Sequence, residues 1–264
     1  MCSDTTKTGY RSSKSLVKGL DIVRALNQSP NGASSIKYLS DTTGLHRTTV
    51  KRILETLIDE GYIKADRVTN YYRLTHKVLS LSYGFRDSVR VVDIAWPKMM
   101  AFTKEFVWPC SLLTLEGLEM VTRASTHAYS VFSFHTGMPG RKLPILDTAA
   151  GKAYISYCSE AERETLLSLL IKSDGNAVKK AEQVVNQTQE LGYGVNRGEW
   201  EKEPRFGGIS VPVIVNDSIV ACINAIFLNH AVSDEDIGKI AGRLNALSRD
   251  IREEASLSGC DDFS

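Results

Sequence analysis

The chain has 264 residues, 42% of them apolar and 24% charged, with a formal charge of +1. These ordinary globular proportions exclude a disordered, collagenous or membrane-spanning polymer and leave room for one large domain or two smaller ones. Residues 11 to 73 carry eleven Lys/Arg against six Asp/Glu, and residues 74 to 264 carry twenty against twenty-four, so a basic head sits on an acidic body and one end is expected to meet a polyanion.

In chain order, residues 1 to 13 are polar, and Leu16, Leu20 and Val23, with Ile22 and Leu26, mark a first helix that ends at Ser29-Pro30-Asn31-Gly32. Ile36 and Leu39 mark a short second helix with Gly44 at its left-handed exit. Val50, Ile53, Leu54, Leu57 and Ile58 form one apolar stripe of a third helix stopped by Gly61. Tyr62-Ile63-Lys64 and Tyr71-Tyr72-Arg73-Leu74 then read as a hairpin around a polar loop. Val78, Leu81 and Phe85 predict a connecting helix, and Val92, Ala95, Trp96, Met99, Phe102 and Phe106 a longer one containing Pro97.

From Pro109 the texture changes. Strands are predicted at Cys110 to Leu115, Glu119 to Ala124 and Tyr129 to Phe134, followed by helices opened by Thr148, Ser159 and Val178. A second hairpin, Ile209 to Val215 and Ile219 to Phe227, turns at Asn216-Asp217, and Ser233 to Asp236 open a last helix to about Glu254. The expected fold class is α+β: a winged helix-turn-helix over 11–75, a linker helix over 76–90, and an α/β domain over 91–258.

The five cysteines, Cys2, Cys110, Cys158, Cys222 and Cys260, are scattered without a CxxC pair, so no disulfide framework or zinc site is predicted and a reducing cytosol fits best. The start of the chain lacks an apolar signal core. The most apolar stretch, Ile219 to Leu228, is about half the ~20 residues of a membrane helix. A soluble, cytoplasmic chain without a membrane partner is expected.

Three helices and a hairpin, the third helix polar and basic at its start, make a winged helix-turn-helix. A helix fits the major groove of double-stranded DNA, where Arg, His and Thr reach base edges while flanking Lys and Arg meet phosphates. The DNA-binding residues are expected to be Ser35, His46, Arg47, Thr48, Thr49, Lys51, Arg52 and Arg67. The competing reading, a merely solvated helix face, is disfavoured because helix spacing, the Gly44 turn, the hairpin and the local charge agree.

The sequence resembles the IclR-type bacterial transcriptional regulators over nearly its whole length. The resemblance is carried by the run from Leu39 to Leu57, Gly61-Tyr62, Tyr72-Arg73-Leu74-Thr75, Leu143-Pro144, Thr148-Ala149-Ala150-Gly151-Lys152-Ala153 and Ile209-Ser210-Val211-Pro212-Val213. Gly44 to Val50, Gly84-Phe85-Arg86-Asp87, Val107-Trp108-Pro109, Ser133-Phe134-His135 and Gly140 to Pro144 are most similar to activators of aromatic-acid catabolism, in particular the MhpR-type regulators of 3-hydroxyphenylpropionate degradation. The resemblance implies a GAF-like sensor domain, palindromic operators, and a homodimer or a tetramer built as a dimer of dimers, with RNA polymerase as a partner if the protein activates. It implies no cofactor and no metal. It further implies an effector site using His135, Leu143, Thr148, Ala149, Ala150, Gly208 and Asn224.

Some of these residues also carry their own chemistry. Thr148 can cap a helix beginning Ala149-Ala150-Gly151, whose free N–H groups suit a carboxylate; the same small residues equally suit close helix–sheet packing. His135 reads evenly as a phenol partner or a loop histidine. Asn224 interrupts an apolar strand, where members of the family often carry a hydroxyl, and if buried it needs partners. Asn196, Arg197 and the acidic Glu199, Glu201 and Glu203 read as an ordinary solvated loop.

Enzymatic readings find little. The P-loop echo at Ala150 to Ala153 has Leu146 in place of its first glycine and Ala153 in place of its Ser/Thr, and no GxGxxG, HExxH or GxSxG occurs. The chain reads as a non-enzymatic activator of an aromatic-acid operon. Its alternatives are a repressor responding to a non-aromatic carboxylate, or a sensor-fold protein acting catalytically on a small metabolite.

Overall fold

The computed structural model describes residues 12–29, 32–66, 68–82, 91–132, 138–171 and 175–257. Its contacts cluster into two units, 1–86 and 87–264.

The first unit holds helices α1 (Lys14–Asn27), α2 (Ile36–Thr43) and α3 (Arg47–Asp59) and a small antiparallel sheet of β1 (Ala33–Ser34), β2 (Ile63–Asp66) and β3 (Tyr71–Leu74), ordered β1-β3-β2. Leu39, Val50, Leu54, Ile22, Leu26 and Ile63 are fully or almost fully buried between them. Gly44 takes φ +67° and Gly61 φ +75°, the left-handed conformation that costs an L side chain most. Together they set the entry and exit of α3. The tip of the wing is an Asx turn in which Asp66 Oδ1 accepts the amides of Val68 (2.9 Å) and Thr69 (3.3 Å). These bonds hold the Asp66 carboxyl below its usual range, the Thr69 side chain contributing most. Of the expected linker helix, His76–Leu81 is a 3-10 turn, and 83–90, including Phe85, lie outside the described residues.

The second unit is built on a six-stranded antiparallel sheet, ordered β6-β5-β4-β9-β8-β7. Its strands are β4 (Cys110–Glu116), β5 (Glu119–Ser125), β6 (Lys142–Pro144), β7 (Gly194–Asn196), β8 (Phe206–Val215) and β9 (Ser218–Leu228). α4 (Val91–Phe106) and α8 (Asp234–Leu257) pack with one face, where Met99, Phe102, Ile209, Val211, Ile223 and Leu244 are wholly buried. α5 (Ala149–Tyr157) covers the other face with α7 (Ala177–Leu191) outside it, and α6 (Glu160–Leu170) packs on α7. The period of two in a strand decides the site: Ile223, Ala225 and Phe227 enter the first core, so Asn224 and Ile226 face the α5 side.

The expected strand at Tyr129 to Phe134 is not one as far as it is described. His127–Tyr129 form a 3-10 turn, and the aromatic alternation instead packs Tyr129 edge-on to Trp96 (6.0 Å) and Phe132 on Trp108 (5.1 Å). Cys110, Cys158 and Cys222 are buried free thiols, pushed up in pKa by that burial. No helix among the described residues is long and apolar enough to cross a membrane.

Candidate functional site

Two constellations emerge, one in each unit. In the first, the solvent side of α3 exposes Arg47, Thr48, Lys51 and Arg52. Arg47 and Arg52 form no ion pair with a described residue, and Lys51 has only a loose one with Glu55 at 3.9 Å. His46 is the N-cap of α3, its Nδ1 taking the Thr48 amide. Ser35 is the N-cap of α2, its Oγ accepting the Tyr38 amide at 3.3 Å. Thr49 and Arg52 also border an apolar groove of about 590 Å³ lined by Leu16, Leu20 and Val23 of α1, by Ile53 and Leu57 of α3, and by Val78 and Leu81. Arg67 lies outside the described residues. A surface with unpaired cations on a protruding helix start suits a polyanion.

In the second unit, a cavity of about 50 Å³ opens where α5 begins against β8 and β9. Leu143, Thr148, Ala149, Ala150, Gly208 and Asn224 all line it, so six of the seven residues expected for an effector meet there; His135 lies outside the described residues. Thr148 caps α5: its Oγ1 accepts the Gly151 amide (3.4 Å) and donates to the Pro144 carbonyl (2.8 Å). The Ala149 and Ala150 amides, in residues 3% and 1% exposed, have no partner among the described residues. Asn224 is 5% exposed and its amide likewise bonds to no described residue. Three polar groups without a partner among the described residues thus face one small space, which a polar ligand can complete.

The packing reading of this segment holds as well, for its neighbours. A Cβ on Gly151 would stand 2.1 Å from the Ile145 carbonyl oxygen, and one on Gly194 2.3 Å from that of Ala149. Lys152 is buried and donates to the Val195 carbonyl at 2.8 Å, which ties it to β7 and away from any phosphate role. Asn196 lines the cavity, but its amide is spent on the Asp147 carbonyl (2.6 Å) and on the amides of Gly198 and Glu199. Arg197 binds the Val232 carbonyl at 3.2 Å and does not line the cavity.

The acidic loop is less solvated than its composition suggests. Trp200, Glu203 and Phe206 form a wall of the cavity, Glu203 pairs with Arg141, and the Arg141 guanidinium lies 5.4 Å from the Trp200 ring. The one available signal was Trp200, a large apolar ring among charges. Among the described residues no group of three or more His, Cys, Asp or Glu could hold a metal ion.

The sequence matches two family profiles: an IclR helix-turn-helix domain over residues 15–67 and a bacterial transcriptional regulator IclR C-terminal domain over 86–253. It is 29% identical over 153 residues to the DNA-binding transcriptional repressor YiaJ of Escherichia coli, covering 55% of this chain and 51% of that one. It is 28% identical over 139 residues to the Pca operon regulatory protein of Acinetobacter baylyi, covering 50% and 48%. The chain thus spans about half the length of these two curated relatives. A solved IclR homolog from Microbacterium hydrocarbonoxydans, complexed with 4-hydroxybenzoate, shares the fold at a TM-score of 0.60 and 16% identity, covering 92% of this chain and all of that one.

Proposed function

The chain belongs to the IclR family of bacterial transcriptional regulators, and from that premise we propose that it binds operator DNA through α3 and the wing and activates an aromatic-acid catabolic operon. Its effector is a small aromatic carboxylate, such as a hydroxyphenylpropionate, held where α5 begins. The protein works in the cytoplasm as a homodimer or a pair of dimers, and as an activator it meets RNA polymerase. The matched families and relatives are regulators rather than enzymes, and this argues against catalysis at the cavity.

One observation carries the effector assignment: the unpartnered Ala149 and Ala150 amides and the unpartnered Asn224 amide share one cavity. A carboxylate on the two N–H groups gains charge-assisted hydrogen bonds and a helix-dipole interaction of about 0.3 to 2 kcal/mol. Asn224 then binds a second polar group, and Leu143, Trp200, Phe206 and Ile226 offer apolar walls worth ~25 cal/mol per Å² buried. The aromatic assignment is supported by the regulator named for the Pca operon and by the relative solved with 4-hydroxybenzoate.

A second reading, a repressor answering to a non-aromatic acid, is favoured by the size of the cavity: about 50 Å³ suits a small acid better than a ring. YiaJ is itself described as a repressor. Calorimetry with 3-(3-hydroxyphenyl)propionate, 4-hydroxybenzoate, a three-carbon aliphatic acid and their amides distinguishes the two. An acid should bind at least about tenfold more tightly than its amide, one charge-assisted bond being worth that much. Ala150→Leu should abolish binding and leave ligand-free DNA affinity unchanged. Equal affinities for acid and amide, or normal binding by Ala150→Leu, would place the effector elsewhere, and binding confined to the aliphatic acid would decide for the second reading.

A further inference from the structure

We propose that His46 reads a base: its ring is held in one tautomer by its own helix and offers DNA a single N–H donor for the N7 of a purine. This rests on the placement of α3 in the major groove proposed above.

Histidine is an uncommon N-cap, a position that usually belongs to Ser, Thr, Asp or Asn. At the start of α3 the Thr49 and Val50 amides both donate to the His46 carbonyl, at 2.8 and 3.1 Å. Of the remaining amides in that turn, Thr48 N–H points at His46 Nδ1 at 3.4 Å. A backbone N–H can only donate, so Nδ1 presents its lone pair, and in the neutral ring the proton stands on Nε2. The Thr48 hydroxyl stands 2.8 Å from the same Nδ1, a contact that suits either direction. The backbone amide is therefore the contact that fixes the tautomer.

Capping needs only one acceptor atom, which a serine oxygen supplies, and the rest of the ring is surplus to that task. The ring is exposed, and of its two nitrogens Nε2 alone remains to meet something outside the helix. Recognition helices bring their N-terminal residues against base edges. There a lone in-plane donor needs an acceptor, of which N7 is the one both purines carry while O6 and O4 belong to guanine and thymine alone, and the amino group of cytosine would meet it donor to donor. His46 is thus assigned to base recognition, and the exposed cations Arg47 and Lys51 beside it to affinity.

The test uses the full-length chain and an operator selected from random duplex DNA. Each purine of that operator is replaced in turn by its 7-deaza analogue, which lacks only the N7 acceptor. One position should cost the wild-type protein about tenfold in affinity, within the range of a direct base contact. His46→Ser, which keeps an oxygen cap, should bind the native operator about as weakly as wild type binds the deaza operator, and should lose nothing further on it. Arg47→Ala and Lys51→Ala should weaken binding to native and deaza operators alike. If His46→Ser binds the native operator normally, or remains sensitive at the same purine, while the Arg47 and Lys51 variants bind weakly, the assignment of His46 falls and the placement of α3 stands. If Arg47→Ala and Lys51→Ala also bind normally, α3 is not at the DNA and both fall.

Discussion

At the scale of single residues, the effector cavity depends on the absence of side chains. A Cβ on Gly208 would lie 3.3 Å from Asn224 Oδ1 and 3.4 Å from the Ala149 Cβ, so a glycine there keeps the floor of the cavity open. Gly194 has a stricter role. A methyl group at that position meets the Ala149 carbonyl oxygen at 2.3 Å and the Ala153 amide nitrogen at 2.7 Å, both of them backbone atoms of α5 that no rotamer change can clear. Gly194→Ala should therefore destabilise the second unit by about 1 to 3 kcal/mol, the usual cost of overpacking, and push the first turn of α5 off the sheet. Urea unfolding with a midpoint equal to wild type would show that β7 and α5 are not in such close contact. Asn224 was legible beforehand because an amide inside an apolar strand needs a reason. Glu203 was not, because its burial comes from Arg141, a residue distant in sequence.

At the scale of elements, local sequence accounts for the head in detail. The stripe Val50, Leu54 and Leu57 orients α3, and Gly44 and Gly61 bound it. The wing tip adds an electrostatic device. The folded-state pKa of Asp66 is lowered by its hydrogen bonds, so the carboxylate supports the turn above the ordinary aspartate range, and the support is lost as pH falls through the lowered value. In an NMR titration the Val68 and Thr69 amide resonances should move together with a midpoint below 3.8. A midpoint at or above that value would mean that Asp66 does not cap the turn in solution. The short strands β1, β6 and β7 have no such local signature, since two or three residues show no alternation.

At the scale of the whole molecule, the charge division follows the two units, and the head presents an apolar groove. Leu16 is 63% exposed, Leu20 46% and Leu81 66%, in a unit too small to cover them itself. Pairing through a second copy of the same face would bury them with two-fold symmetry. Leu16→Lys combined with Leu20→Lys, both at exposed positions, should lower the mass in light scattering at micromolar concentration to that of a single 29.2 kDa chain. An undiminished dimer mass would assign the pairing to another surface.

The sequence by itself determined the helix-turn-helix, both hairpins and the cap at Thr148, because each follows from a short-range period or a turn residue. Only the tertiary structure decided that Trp200, Glu203, Phe206 and Ile226 close the same cavity. It also decided that Asn196 and Lys152 are spent on backbone carbonyls, and that the Ala149 and Ala150 amides stay unpaired. The reason is physical: a hydrogen bond or a cavity wall joins groups that meet only after the sheet has ordered its strands, and local periodicity carries no record of which distant group will arrive first.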